Sequence, residues 1–198
     1  MTMTQKQATR SLTLTAMFVA LVALLGLTPL GIIPLGFINV TILHIPVVIG
    51  TLVLGLRGGL ILGCTFGLVS TLRAFGIPLP ASALVSNLMA ESPLLVIVMS
   101  MFPRLMVPLA THGVYRLIDG RGARIYVSVP VAAVAGTLTN TVLYLGLMLL
   151  FYAMTALDTA AVLGLILGTG AIGGGSEAVV AALISTPVVV ALRKIQKK

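Results

Sequence analysis

The sequence predicts an all-α membrane protein, a six-transmembrane-helix bundle in a single domain over residues 1–198, with both termini cytoplasmic. Three observations carry this. The composition is 59% apolar and only 8% charged, with a mean hydropathy of +1.18. Residues 11–56 form an unbroken stretch of 46 positions with no Asp, Glu, Lys or Arg, about twice the roughly 20 residues that cross a hydrocarbon core. Ten of the twelve Lys and Arg residues fall on one side of a six-span layout.

The first span is expected at 10–28. Lys6 and Arg10 ahead of it give a superficial likeness to a signal peptide, but the apolar run is about 17 residues long, lacks a small-x-small cleavage site and is followed by further spans, so it is read as a retained helix. TPLGIIPLG (28–36) holds two prolines and two glycines and divides the charge-free stretch. Spans at 41–56 and 58–75 follow, joined by a tight turn at Arg57-Gly58-Gly59, where glycine supplies backbone freedom. A fourth span at 93–117 ends near Arg116, before the polar turn Asp119-Gly120-Arg121-Gly122. The fifth is expected at 126–153. The glycine-rich stretch 164–175 fits a helix, a re-entrant segment or a loop, and the last span is placed at 172–193.

In this layout Lys6, Arg10, Arg57, Arg116, Arg121, Arg124, Arg193, Lys194, Lys197 and Lys198 share one side, which the positive-inside rule makes cytoplasmic. An odd number of spans would separate the two basic termini. The opposite connections, 28–40, 76–92 and 154–170, are poor in charge and rich in Pro, Gly, Ser and Asn, as the mouth of a pocket would be. The net charge of +8 therefore reports orientation, and no basic module with interleaved aromatics marks a nucleic-acid site. The single cysteine, Cys64, excludes an internal disulfide.

Function must then rest on the few polar residues inside the spans. Arg104 follows Pro103 in MSMFPRLMVPLATHG; an arginine at mid-depth costs roughly 2.5–3.5 kcal/mol on insertion scales and faces a partner or a watery cavity unless it snorkels to the headgroups. Pro103 removes a backbone hydrogen bond and frees a nearby carbonyl. Glu177, after Gly173-Gly174-Gly175-Ser176, opens the last span; it either caps that helix or meets a ligand or Arg104. Asn140 sits between Thr139 and Thr141, with Thr137 and Thr141 four apart on one face. Its donor and acceptor capacity exceeds what stitching two helices together requires. Arg73 ends the third span as a snorkelling anchor or an attractor of an anionic solute. His44 and Asn39, near the outer start of the second span, complete the candidate solute-binding set; the competing reading of His44 is a helix–helix hydrogen bonder.

Ala16 and Ala20, four apart on the first helix, form a small-xxx-small face suited to close approach of another helix. Gly55, Gly59, Gly63 and Gly67 repeat every four residues and suggest tight packing inside the bundle. No Walker loop, catalytic triad, paired carboxylates or metal-ligand spacing is present, so neither an enzyme nor a cofactor or metal site is expected. With Glu177 the only acidic residue in a span, a proton-coupling chain is lacking too. Binding without an energy source of its own is the inference.

GIIPLGFINVTILHIPVVIGTLVLG (31–55), Pro103-Arg104, TLTNT (137–141) and SEAVVAALISTPVV (176–189) together resemble the substrate-binding S components of energy-coupling factor (ECF) transporters. The resemblance extends through nearly all six spans, and its HIPVVIG element is most like the pantothenate-type members. It implies capture of a water-soluble vitamin from outside a bacterial cytoplasmic membrane, in partnership with an EcfT-like transmembrane coupling protein and two cytoplasmic ATPases. It also implies docking of the coupling protein on Ala16 and Ala20, and toppling of the loaded subunit within the lipid. Arg104 or Arg73 would hold the vitamin's carboxylate, with Asn140 and Glu177 taking its hydroxyl and amide groups. Other vitamins or precursors (riboflavin, niacin, folate, pyridoxine) and a self-sufficient secondary transporter are the alternatives. The last span keeps a glutamate after its glycines but lacks the asparagine of the family's N-G-x-x-E pattern. Among Phe37, Phe75, Tyr144, Phe151 and Tyr152, the candidate aromatic walls, there is no tryptophan to stack a large flat flavin.

Overall fold

The computed structural model describes residues 5–34, 39–120, 122, 124–155, 157 and 159–196. In chain order it contains α1 (Gln5–Leu27), a 3-10 turn (Pro29–Gly31), β1 (Ile32–Pro34), β2 (Asn39–Thr41), α2 (His44–Ala74), α3 (Ala83–Glu91), α4 (Pro93–Asp119), α5 (Ile125–Met154) and α6 (Thr159–Gln196). Five of these helices contain stretches long and apolar enough to cross a membrane: Ala8–Leu27, His44–Ala74, Pro93–Asp119, Ile125–Met154 and Gly173–Lys194. Their outward faces carry Leu12, Met17, Leu94, Val142 and Leu183, all exposed, as lipid contact requires.

The expected turn at Arg57-Gly58-Gly59 lies two residues earlier. Gly55 has φ +79° and ψ −176°, a conformation essentially reserved for glycine because a Cβ would clash with the backbone. There α2 doubles back: a Cβ on Gly50 would meet the Leu62 side chain, and one on Gly59 would meet Thr51. In a straight helix those pairs would stand about 18 and 12 Å apart along the axis. Arg57, Gly58 and Gly59 are helical instead. The turn exposes carbonyls at the end of the first arm, and Arg193 from the last turns of α6 donates to Leu52 O at 2.8 Å. Its other terminal nitrogen bonds the Tyr115 hydroxyl at 2.6 Å.

The glycine repeat after the turn is a contact surface. Cβ atoms on Gly59, Gly63 and Gly67 would collide respectively with Thr51 and Pro108, with Arg104 O and Pro108, and with Met101. The second arm of α2 therefore lies directly on α4. Pro108, in an α4 interior, leaves Arg104 O without its usual amide donor, and Gly63 brings a Cα–H against that carbonyl.

Two other expectations change. Of the three readings of 164–175 the helical one holds, and the last helix, expected from 172, starts at Thr159, so Glu177 lies near its middle rather than at its opening. A backbone in lipid must satisfy itself internally, and two of the glycines serve close approach: a Cβ on Gly174 would meet Thr141 Cγ2 at 2.8 Å and one on Gly170 would meet Leu145 Cδ1 at 2.8 Å, while Gly164, Gly168 and Gly175 face open space. The connections at this end are also more ordered than loops. β1 and β2 pair antiparallel with Ile33 opposite Val40, and α3 buries Leu84, Val85 and Leu88 toward α4 and α5.

Candidate functional site

The arms of α2 return the chain so that the end of α2 and the strand leading into it meet the middle parts of α4, α5 and α6. Between them lies a chamber lined by β2, α2, the 81–85 segment, α4, α5 and α6. Its volume is about 100 Å³, against roughly 10–15 Å³ for one water on the same measure, so it is larger than a single trapped water needs.

Arg104 reaches it from α4 and is only 6% exposed. Pro103 has no N–H, so the carbonyl of Met99, four residues earlier, lacks its helical donor. Arg104 Nη1 donates to that carbonyl at 3.0 Å. The guanidinium packs against two rings, its Cζ 4.4 Å from the centroid of Tyr144 and 5.2 Å from that of Phe66, in the range of cation–π attraction. Its Nε is buried without a protein partner.

Asn140 comes from α5, and its Oδ1 is buried and unpartnered. Thr141 lines the chamber beside it, while Thr139, on the other face, bonds back to Ala135 O at 2.7 Å. Thr137 is wholly buried one turn away, its hydroxyl also without a partner. Glu177 enters from α6, and its Oε1 accepts a hydrogen bond from Thr41 N–H at 3.1 Å. The helix-capping reading of Glu177 fails because it sits in a helix interior.

Arg73 lines the same chamber and is 9% exposed. Its Nη1 donates to Gly26 O at 3.1 Å and Thr28 O at 3.5 Å, where the negative end of the α1 dipole welcomes a cation. Two guanidinium groups against one carboxylate leave the chamber with a formal excess of one positive charge.

Of the six candidate solute-binding residues, Arg73, Arg104, Asn140 and Glu177 meet around this space. His44 does not line it: the side chain is completely buried and neither ring nitrogen has a partner. Asn39 pairs with Pro34 in the hairpin through its backbone, and its side chain lies outside the described residues, as does Phe37. Of the other aromatic candidates, Tyr144 is a wall, Phe75 is half exposed, and Phe151 and Tyr152 belong to a separate core with α3. Sequence reasoning missed Phe66, Thr41, Ser70, Ser82 and Ser100, which also line the chamber. Ser70 lies four residues beyond Phe66 on one helix face, a spacing that was available to find them. Ala16 and Ala20 are both exposed on the outside of α1.

The family model described as "ECF transporter, substrate-specific component" matches residues 10–189. The chain is 32% identical over 157 residues to the pantothenic acid transporter PanT of Lactococcus lactis subsp. cremoris (strain MG1363), covering 76% of each sequence. It also superposes on a crystal structure of the S component for biotin from an ECF-type ABC transporter, with a TM-score of 0.58, 16% identity, and coverage of 100% of this chain and 96% of that one.

Proposed function

Because the chain belongs to the family of ECF transporter substrate-specific components, we propose that it captures pantothenate from outside the cell and delivers it through the bacterial cytoplasmic membrane. The family transports, and the chain is not an enzyme. The observation that carries the ligand reading is the chamber's charge: Arg104 and Arg73 face a single Glu177, which suits a monoanion. Pantothenate offers a carboxylate for a guanidinium fork, hydroxyls and an amide for Asn140 and Glu177, and a branched aliphatic end for the Phe66 and Tyr144 walls. The 32% identity to a pantothenic acid transporter points the same way.

In this reading the two arms of α2 count as separate passes, giving six crossings with both termini cytoplasmic. The arm at 44–54 is only about 16 Å long at 1.5 Å per residue. The strand that precedes it is tolerated at depth because its polar groups are met by protein: Thr41 N–H by Glu177 and Ile42 N–H by Gly31 O at 3.1 Å. The chamber then opens outward, and the exposed Ala16 and Ala20 face receives a transmembrane coupling protein that carries two ATPases.

The purified chain in detergent is expected to bind pantothenate saturably at one site by calorimetry, and to bind biotin and riboflavin far more weakly. Tight binding of another vitamin with none of pantothenate would replace the ligand assignment. Ion-gradient-driven flux in vesicles holding this chain alone would replace the transport mechanism.

A further inference from the structure

We propose that Pro103 is a positioning residue for ligand recognition: by lacking an N–H it leaves the Met99 carbonyl free to pin one end of the Arg104 guanidinium, reserving the opposite edge for an anionic group. The inference rests on the reading of the chamber as an anion site. Three observations converge on it. Arg104 Nη1 donates at 3.0 Å to the carbonyl that a residue 103 amide would otherwise occupy. The guanidinium carbon packs 4.4 Å from the ring centroid of Tyr144 and 5.2 Å from that of Phe66. Nε, which forms a donor fork with Nη2 on the edge away from Nη1, has no protein partner although it is buried. A guanidinium pinned at Nη1 and packed against two rings has its freedom to rotate restricted, which holds that fork in place. A carboxylate meets two parallel donors there, and the ordering entropy is already spent before the ligand arrives.

The alternative role for Pro103 is generic helix bending. Pro108, one turn on, is the internal comparison, since it also interrupts α4 and frees a different carbonyl, that of Arg104 itself.

Pro103→Ala restores an amide that competes for Met99 O, and Pro108→Ala does so one turn away. In protein labelled with ¹⁵N-arginine and studied without ligand, the Arg104 Nη signals are expected to be resolved by slow rotation in the parent and in Pro108→Ala, and averaged in Pro103→Ala. Pantothenate affinity is expected to fall about tenfold in Pro103→Ala, as loss of an oriented charge-assisted pair implies, while affinity for pantothenol, whose carboxylate is replaced by an alcohol, changes less than about twofold. An α-hydroxy acid placed at 103, which has neither N–H nor ring, is expected to behave like the parent and serves also if Pro103→Ala does not fold. Unchanged Arg104 signals in Pro103→Ala, equal losses for both ligands, or a loss with the α-hydroxy acid would each overturn the proposal. A parent protein that binds neither ligand would overturn the vitamin reading, while the arginine spectra would still decide the role of Pro103.

Discussion

Glu177 Oε1 accepts a hydrogen bond at 3.1 Å from the backbone N–H of Thr41, joining the middle of α6 to the strand that leads into α2. This bond lets a carboxylate sit in an apolar bundle with one oxygen engaged, and it gives a strand amide an acceptor. The link also sets the height of β2 against the chamber wall. Glu177→Ala is expected to raise the hydrogen-exchange rate of the peptide covering residues 41–43 by about tenfold, the worth of a hydrogen bond to a charged acceptor. Glu177→Gln keeps a carbonyl acceptor and should show a smaller rise.

Arg104→Ala is expected to weaken pantothenate binding by about 10- to 100-fold, since charge-assisted hydrogen bonds contribute roughly 1.5–3 kcal/mol. Arg104→Lys keeps the charge but loses the planar fork, and should recover only part of that loss. Titration calorimetry with pantothenate, and with pantothenol as the uncharged control, checks both.

Asn140 separates ligand binding from stability. Its Oδ1 is buried and has no protein partner, so truncation removes no bond from the empty protein. Asn140→Ala is expected to lower affinity by about tenfold, the scale of one or two lost ligand hydrogen bonds. Thermal unfolding in detergent should stay within a degree or two of the parent, or rise, because an orphaned acceptor has gone.

Gly55 holds its φ of +79° at the α2 turn with no neighbouring atom near its Cβ direction. Gly55→Ala is therefore opposed by backbone conformation alone, at about 1–3 kcal/mol, and should lower the unfolding temperature. Gly146→Ala in α5, where a Cβ also meets nothing but the backbone is helical, is the matched control and should be tolerated.

The exposed alanines on α1 give a separable test of assembly. Ala16→Trp with Ala20→Trp is expected to abolish uptake in cells carrying the coupling protein and ATPases, while calorimetric affinity of the purified chain stays within about twofold, because the face lies outside the chamber. Loss of ligand binding would place that face in a different role.

Hydropathy and the positions of charge in this chain are enough to read a membrane bundle, the approximate bounds of four spans, and a short roster of polar residues worth watching. They also carry the prediction that Pro103 frees a carbonyl near Arg104, since that follows from covalent structure. Helix α3 was hidden by the prolines and serines around it, although Leu84 and Leu88 stand one turn apart. The glycines of 164–175 left helix, re-entrant segment and loop all open, because propensities learned in water penalise glycine where lipid instead forces the backbone to bond to itself.

What the tertiary structure alone decided was direction. In lipid the outside of a bundle is as apolar as its inside, so hydropathy marks a residue as immersed without saying which way it faces. Arg73 and Arg104 each left a snorkelling and a solute-facing reading open as chain positions; in the fold one reaches back to the carbonyls ending α1 and the other packs against Tyr144 and Phe66. His44 and Asn140 are both polar groups in apolar helices, and packing seals the first while placing the second on the chamber wall. Those differences arise from where α2 folds back at Gly55 and how closely its glycines let α4 approach, contacts between segments that no local window contains.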